Sequence, residues 1–98
     1  MTVNVNKDGE KLVLMPEGRI DAVTANDFSK AIDDNIEGVK DLTFDFAKLD
    51  YISSAGLWVL LTSQKNMSKI GSMKLINVPD VIMDVFNITG FADILTIE

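Results

Sequence analysis

Leu49-Asp50-Tyr51-Ile52-Ser53-Ser54-Ala55-Gly56-Leu57 is the stretch on which the fold turns: apolar residues give way to two hydroxyls and two small residues before an apolar segment resumes. Upstream, Leu42, Phe44 and Phe46 alternate with Thr43 and Asp45, the period-two pattern of a strand with one buried face. Downstream, Leu57, Leu60, Leu61, Met67 and Ile70 fall mostly at helical spacing, and Gly71 supplies a C-terminal stop. The stretch is therefore a strand-to-helix junction, with the helix expected from about Ala55 to Ile70. A serine at that place meets unpaired N–H groups and the positive end of the helix dipole, both of which favour an anion, including a phosphate on the serine itself. Two readings stand side by side: an ordinary cap, worth about 1 kcal/mol, and a switch.

Toward the N-terminus, Val3 and Val5 alternate with polar neighbours, Asp8-Gly9 marks a tight turn, and Lys11 to Met15 is apolar enough for a second strand, which together read as an opening β-hairpin. Pro16, with no N–H for a ladder, belongs at a bulge or an edge. Gly18-Arg19-Ile20-Asp21 finishes the strand, and Thr24-Ala25-Asn26-Asp27 has the form of a capping box opening a helix from about Ala25 to Ile36, ended by Gly38. Phe28, Ile32 and Ile36 give that helix one apolar face, while Asp33, Asp34 and Glu37 read as a solvated one. Toward the C-terminus, Lys74 to Val78 is a short strand, and Pro79 opens a third helix whose buried side is Val81, Ile82, Val85 and Phe86. Gly90 stops it, and Ile94 to Ile97 adds a last short strand. This order implies an α/β domain over residues 1–98: a mixed, mainly parallel sheet of four to five strands with crossover helices, antiparallel at its opening hairpin.

Composition narrows the chemistry. Ninety-eight residues, 47% of them hydrophobic, suffice for one core. The absence of cysteine and histidine removes thiol nucleophiles, the usual zinc sites and the commonest general base. Nine Lys+Arg against fifteen Asp+Glu leave a net charge of −6, which argues against nucleic acid and anionic membrane surfaces and for a protein partner. The N-terminus has no basic start and long apolar run, and no window reaches a membrane span, so the expectation is a cytoplasmic protein with no direct membrane insertion. Ser54 as a catalytic nucleophile would need a base, and no glycine-rich phosphate loop is present. The expectation is a binding protein, not an enzyme, without metal or cofactor.

With those residues in view, the chain resembles the anti-sigma factor antagonists, whose fold is the STAS domain. Gly18-Arg19-Ile20-Asp21 is similar to the family's Gly-x-x-Asp, Ile52-Ser53-Ser54-Ala55-Gly56-Leu57 is similar to its phosphorylation loop, and the element order covers the whole chain. The resemblance implies that Ser54 is phosphorylated by an anti-sigma factor that is itself a serine kinase of the histidine-kinase-like ATPase type. It also implies that only the unphosphorylated protein binds that kinase and releases the sigma factor, until a PP2C-type phosphatase restores it. Ser53 stands where some members have aspartate, and Ala55 where a second hydroxyl often follows; Ser54 keeps the spacing to Gly56-Leu57, with Ser53 the alternative acceptor.

The implied contact set is Asp21, Thr24, Tyr51, Ser53, Ser54, Ala55, Gly56 and Leu57. Ala55 and Gly56 would leave room for another protein's backbone to come close. Asp21 reads equally as a turn residue, Thr24 more readily as a cap, and Trp58 as an interface anchor or a partly buried ring. Met67, Met73 and Met83 read as core filler. The alternative function is a non-switching STAS subunit of a transporter or sensory assembly, docking an ATPase or sister domain permanently.

Overall fold

Alternation in the N-terminal fifth builds a long hairpin. In the computed structural model, which describes residues 1–98, β1 (Thr2–Asp8) and β2 (Lys11–Ile20) pair antiparallel from Thr2↔Glu17 to Asp8↔Lys11. The chain continues through α1 (Ala25–Asp33), β3 (Asp41–Asp45), β4 (Leu49–Ile52), α2 (Ser54–Ile70), β5 (Ser72–Ile76), α3 (Asp80–Thr89) and a 3-10 turn at Phe91–Asp93. The five strands run β1-β2-β3-β5, with β4 also on β2, and every pairing after the hairpin is parallel. The α/β architecture expected from the element order is the one observed.

The long strand β2 serves two partners in succession. Lys11 to Leu14 pair with β3, and Gly18 to Ile20 pair with β4. Met15-Pro16-Glu17 fall in the interval, so the proline sits where that side of the ladder is interrupted rather than on an outer edge. The register shifts between Gly18 and Arg19, and Gly18 takes a left-handed φ of 87°, which suits glycine at a bulge. The β2–β4 pair thus carries the sheet past the end of β3 and delivers the chain to the Ser53-Ser54 junction.

One core holds the layers together. Leu12 and Leu14 of β2, Leu42 and Phe44 of β3 and Phe46 just beyond it join Phe28 and Ile32 of α1, Leu57, Leu60 and Met67 of α2, and Ile82 and Phe86 of α3. Phe44 centres an aromatic row, 5.5 Å from Phe28 and 6.0 Å from Phe46 between ring centroids. Met67 and Met73 fill the core, and Met83 packs against it half-buried.

Several local expectations shift. α1 stops at Asp33, not Ile36, because Asn35 and Val39 bond back only three residues, to Ile32 and Ile36. β5 begins and ends two residues earlier than Lys74 to Val78. Val81 is exposed, since the buried face of α3 is set by Ile82 and Phe86, and Ile70 is exposed at the end of α2. The last strand reduces to one parallel bridge, Leu75↔Ile97, because residues 91–93 are drawn into the 3-10 turn. Gly71 does stop α2, but with an extended φ of −179°. Its need is for space beside the Lys40 backbone rather than for a left-handed turn.

Candidate functional site

The carboxyl ends of β2 and β4 meet through one short hydrogen bond, Ser53 N–H to Ile20 O at 2.7 Å. Ends of parallel strands are the usual place for a site in α/β proteins. Here they bring together the Asp21–Thr24 loop, Tyr51 and the first turn of α2.

The two serines divide the roles that the sequence leaves open. Ser53 is the N-cap of α2, with extended backbone (φ −89°, ψ 174°), and its hydroxyl accepts the Gly56 N–H at 3.3 Å. Ser54 is the first residue of the helix, exposed, and takes no part in the cap. The helix therefore begins one residue earlier than expected, and the cap reading belongs to Ser53 while the free hydroxyl belongs to Ser54.

The capping box of α1 is displaced by one turn. Thr24 has helical dihedrals and no capping bond to Asp27. Instead the Asp21 carboxylate accepts the N–H of Val23 (3.0 Å) and of Thr24 (2.9 Å), while the Thr24 hydroxyl accepts the Asp21 N–H (2.9 Å) and donates to Arg19 O (2.8 Å). That reciprocal pattern is a capping box running from Asp21 to Thr24, so both residues are structurally engaged.

The Thr24 N–H is the main cause holding the Asp21 pKa below its ordinary value; partial desolvation works against it, and the Val23 N–H, the Thr24 hydroxyl and the Arg19 charge add to it. A depressed folded pKa means stability that is present above the unfolded value of about 3.9 and is lost as pH falls through the folded one. Asp21→Asn is therefore expected to be less stable than the parent at pH 7, with the difference closing below about pH 4. Urea unfolding at pH 7, 4 and 3 measures this, and a pH-independent gap would contradict the role of the carboxylate charge.

The implied contact residues separate by burial. Tyr51 and Ser54 are exposed; Asp21, Thr24, Ser53 and Ala55 are half-buried; Gly56 and Leu57 are buried. Gly56 corrects an expectation. A Cβ there would stand 2.7 Å from Ile20 Cγ2 and 2.7 Å from Ile52 Cγ1, so the room the glycine leaves is filled by the ends of β2 and β4 and not by a partner.

Two residues stand out that the sequence left with an open role or none. Trp58 is 64% exposed and lies four residues beyond Ser54, on the same helix face. It borders a groove of about 270 Å³ between α1 and α2, lined also by Ile32, Ile36, Val59 and Met67. Arg19 stacks on Tyr51, its guanidinium carbon 4.3 Å from the ring centre. Their pairing is a cross-strand contact, invisible without the β2–β4 register.

A family model for the STAS domain matches residues 2–98. The chain belongs to the STAS domain family. Among curated proteins it is similar to BtrV of Bordetella bronchiseptica, by name a candidate anti-sigma factor antagonist, with 27% identity over 99% of this chain and 85% of that one. Among solved structures, an anti-sigma factor antagonist from Mycobacterium paratuberculosis shares the STAS fold at TM-score 0.88, with 21% identity over 98% of this chain and 83% of that one. SpoIIAA in its unphosphorylated form matches at TM-score 0.84, with 18% identity over 99% of this chain and 88% of that one. The phosphorylated form of the Bacillus SpoIIAA matches at TM-score 0.76, with 18% identity over 99% and 91%. At these identities the structures establish the STAS fold. No helix of the chain is long and apolar enough to cross a membrane.

Proposed function

We propose that this STAS domain is an anti-sigma factor antagonist that binds an anti-sigma factor serine kinase while Ser54 is unmodified and is released when Ser54 is phosphorylated. The observation that carries the reading is the division between the serines: Ser53 caps α2, and Ser54 presents a free, exposed hydroxyl in its first turn. The kinase is of the histidine-kinase-like ATPase type, a PP2C-type phosphatase reverses the modification, and the protein acts in the cytoplasm without catalysing a reaction itself. The resemblance of Ser53-Ser54-Ala55-Gly56 to the family's phosphorylation loop and the names of the similar proteins support it.

The physics of such a switch is local. Phosphorylation adds about −1.5 to −2 charges and three acceptor oxygens. The first turn of α2 accommodates them through its free N–H groups and the dipole, so the fold survives. A partner seated over Ser54 instead meets bulk and unpaired charge, and each 1.4 kcal/mol lost is about tenfold in affinity.

Incubation with a candidate anti-sigma factor serine kinase and ATP, followed by mass spectrometry, tests the assignment. Phosphate is expected on Ser54. Phosphate on Ser53 would move the acceptor by one residue; stable binding indifferent to ATP, with neither serine modified, would instead mark a permanently docked subunit. The exposed Trp58 has the character of an interface anchor on the same face. Trp58→Ala is expected to weaken kinase binding by about 2 kcal/mol, while stability changes by less than about 0.5 kcal/mol. Calorimetric titration beside thermal melting separates these, and unchanged affinity would remove Trp58 from the interface.

A further inference from the structure

Arg19 is the single arginine of the chain and Tyr51 the single tyrosine, and the two are stacked on each other beside the serines. Ion pairs in the molecule use the N-terminus and Lys30, Lys40, Lys48 and Lys74, leaving the Arg19 guanidinium without a carboxylate partner. Its charge is nevertheless felt by Asp21, two residues on. Lys48, whose carbonyl bonds the β2 bulge at Gly18, has its own charge directed to Glu17 at 3.9 Å. One residue after Arg19, the Ile20 carbonyl holds the Ser53 N–H, which brings the end of β2 against the turn that carries Ser54.

The Ile20–Ser53 bond sets the Asp21 segment beside the turn that carries Ser54, so the full negative charge this side of the site offers a phosphate is repulsive. The helix N-terminus answers with partial charge only. A guanidinium matches a phosphate with two parallel charge-assisted N–H···O bonds, and these outweigh a stack on an exposed ring. We propose that Arg19 is the intramolecular receiver of the Ser54 phosphate, its guanidinium leaving the Tyr51 ring to pair with the phosphate. This rests on Ser54 being the acceptor, and it extends the switch beyond the serine. Arginine and tyrosine are enriched among residues that anchor interfaces. Phosphorylation then takes apart an exposed Arg–Tyr pair in the same step that adds charge, so a partner that reads the pair loses it even where the phosphate itself does not collide.

The full chain carrying phosphoserine inserted at position 54 during synthesis provides the test without any kinase. A phosphorus NMR titration gives the second pKa of the phosphate, and the proton signals of the one tyrosine report the stack. With Arg19 present the phosphate is expected to titrate at least about half a pH unit lower than in the same phosphorylated chain bearing Arg19→Gln. Tyr51 ring signals are expected to move on phosphorylation in the first chain and not in the second. Arg19→Lys, which keeps the charge and loses the fork, is expected to fall between them, and it carries the comparison if the glutamine variant does not fold. Equal phosphate pKa values in the arginine chain and its folded variant, or tyrosine signals indifferent to phosphorylation, would overturn the proposal. Because the phosphoserine is inserted directly, such a result counts against Arg19 alone, whereas failure of a kinase to modify Ser54 counts against the switch.

Discussion

A Ser54→Asp chain is expected to bind the anti-sigma kinase proposed as its partner at least about a hundredfold more weakly, about 2.7 kcal/mol, while its thermal midpoint stays within about 2 °C of the parent. The two halves of that result have separate causes. Ser54 is exposed in the first turn of α2 and lends no bond to the cap, so replacing its hydroxyl leaves the core and the helix start intact. A carboxylate near a helix N-terminus interacts favourably with the dipole, by about 0.3–1 kcal/mol at an exposed position, which holds stability level or raises it slightly. At an interface the same carboxylate must be stripped of water without a partner, and a buried unpaired charge costs several kcal/mol. Ser53→Ala is the control with the opposite signature. It removes the bond to Gly56 N–H and is expected to cost about 1 kcal/mol of stability. Titration calorimetry and thermal melting read both quantities. Binding by Ser54→Asp at parental affinity, or melting as low as Ser53→Ala, would reassign the serine.

Gly71→Ala is expected to destabilise the domain by about 3 kcal/mol, the upper end for overpacking, and to lower the melting midpoint by more than about 10 °C at 4–8 °C per kcal/mol. A Cβ at this position would lie 1.9 Å from Lys40 O, 2.6 Å from Lys40 C and 2.8 Å from Lys40 Cα. These are backbone atoms and cannot rotate aside as the tip of a side chain can. They are also tied down: Lys40 O accepts the Ser72 N–H at 2.8 Å, and the Lys40 N–H donates to Glu10 O at 2.8 Å. Relief of the clash must therefore disturb the start of β3, the start of β5 and the β1–β2 turn together. Against a total stability of about 5–15 kcal/mol for a domain of this size, the loss is severe. Urea unfolding provides the measurement, and a cost below about 1 kcal/mol would show that the Lys40 segment yields freely.

Local periodicity was enough for much of the fold, because alternation and helical spacing are properties of neighbours in the chain. Phe28 and Ile32 announce a helix face and Gly90 a helix end, and each takes that role in three dimensions; Leu42 and Phe44 announce a strand and lie buried in β3, but Thr43 between them is buried as well and Phe46 stands just past the strand's end. The same local signals misplace what depends on distant partners. Thr24 through Asp27 has the letters of a capping box, yet Asp21 wins the role because the end of β2 sets the chain's entry angle and presents the Arg19 carbonyl to the Thr24 hydroxyl. The sequence reads one strand leading into the serine junction, whereas the structure divides that run into β3 and β4, because Leu49–Ile52 pairs with the far end of β2.

For the site, the chain by itself determined that two hydroxyls stand at the entrance of a helix in a protein without cysteine or histidine, since residue type and spacing alone decide that. Tertiary structure decided which serine is the cap and which is free, that Gly56 yields its space to Ile20 and Ile52, and that the one arginine lies on the one tyrosine. Gly56 against Ile20 and Arg19 against Tyr51 join segments far apart in sequence, and the Ser53 cap, though local, starts where the Ile20–Ser53 bond ends β4; all three depend on the register of strands and the packing of a helix on them, which no run of neighbouring residues encodes.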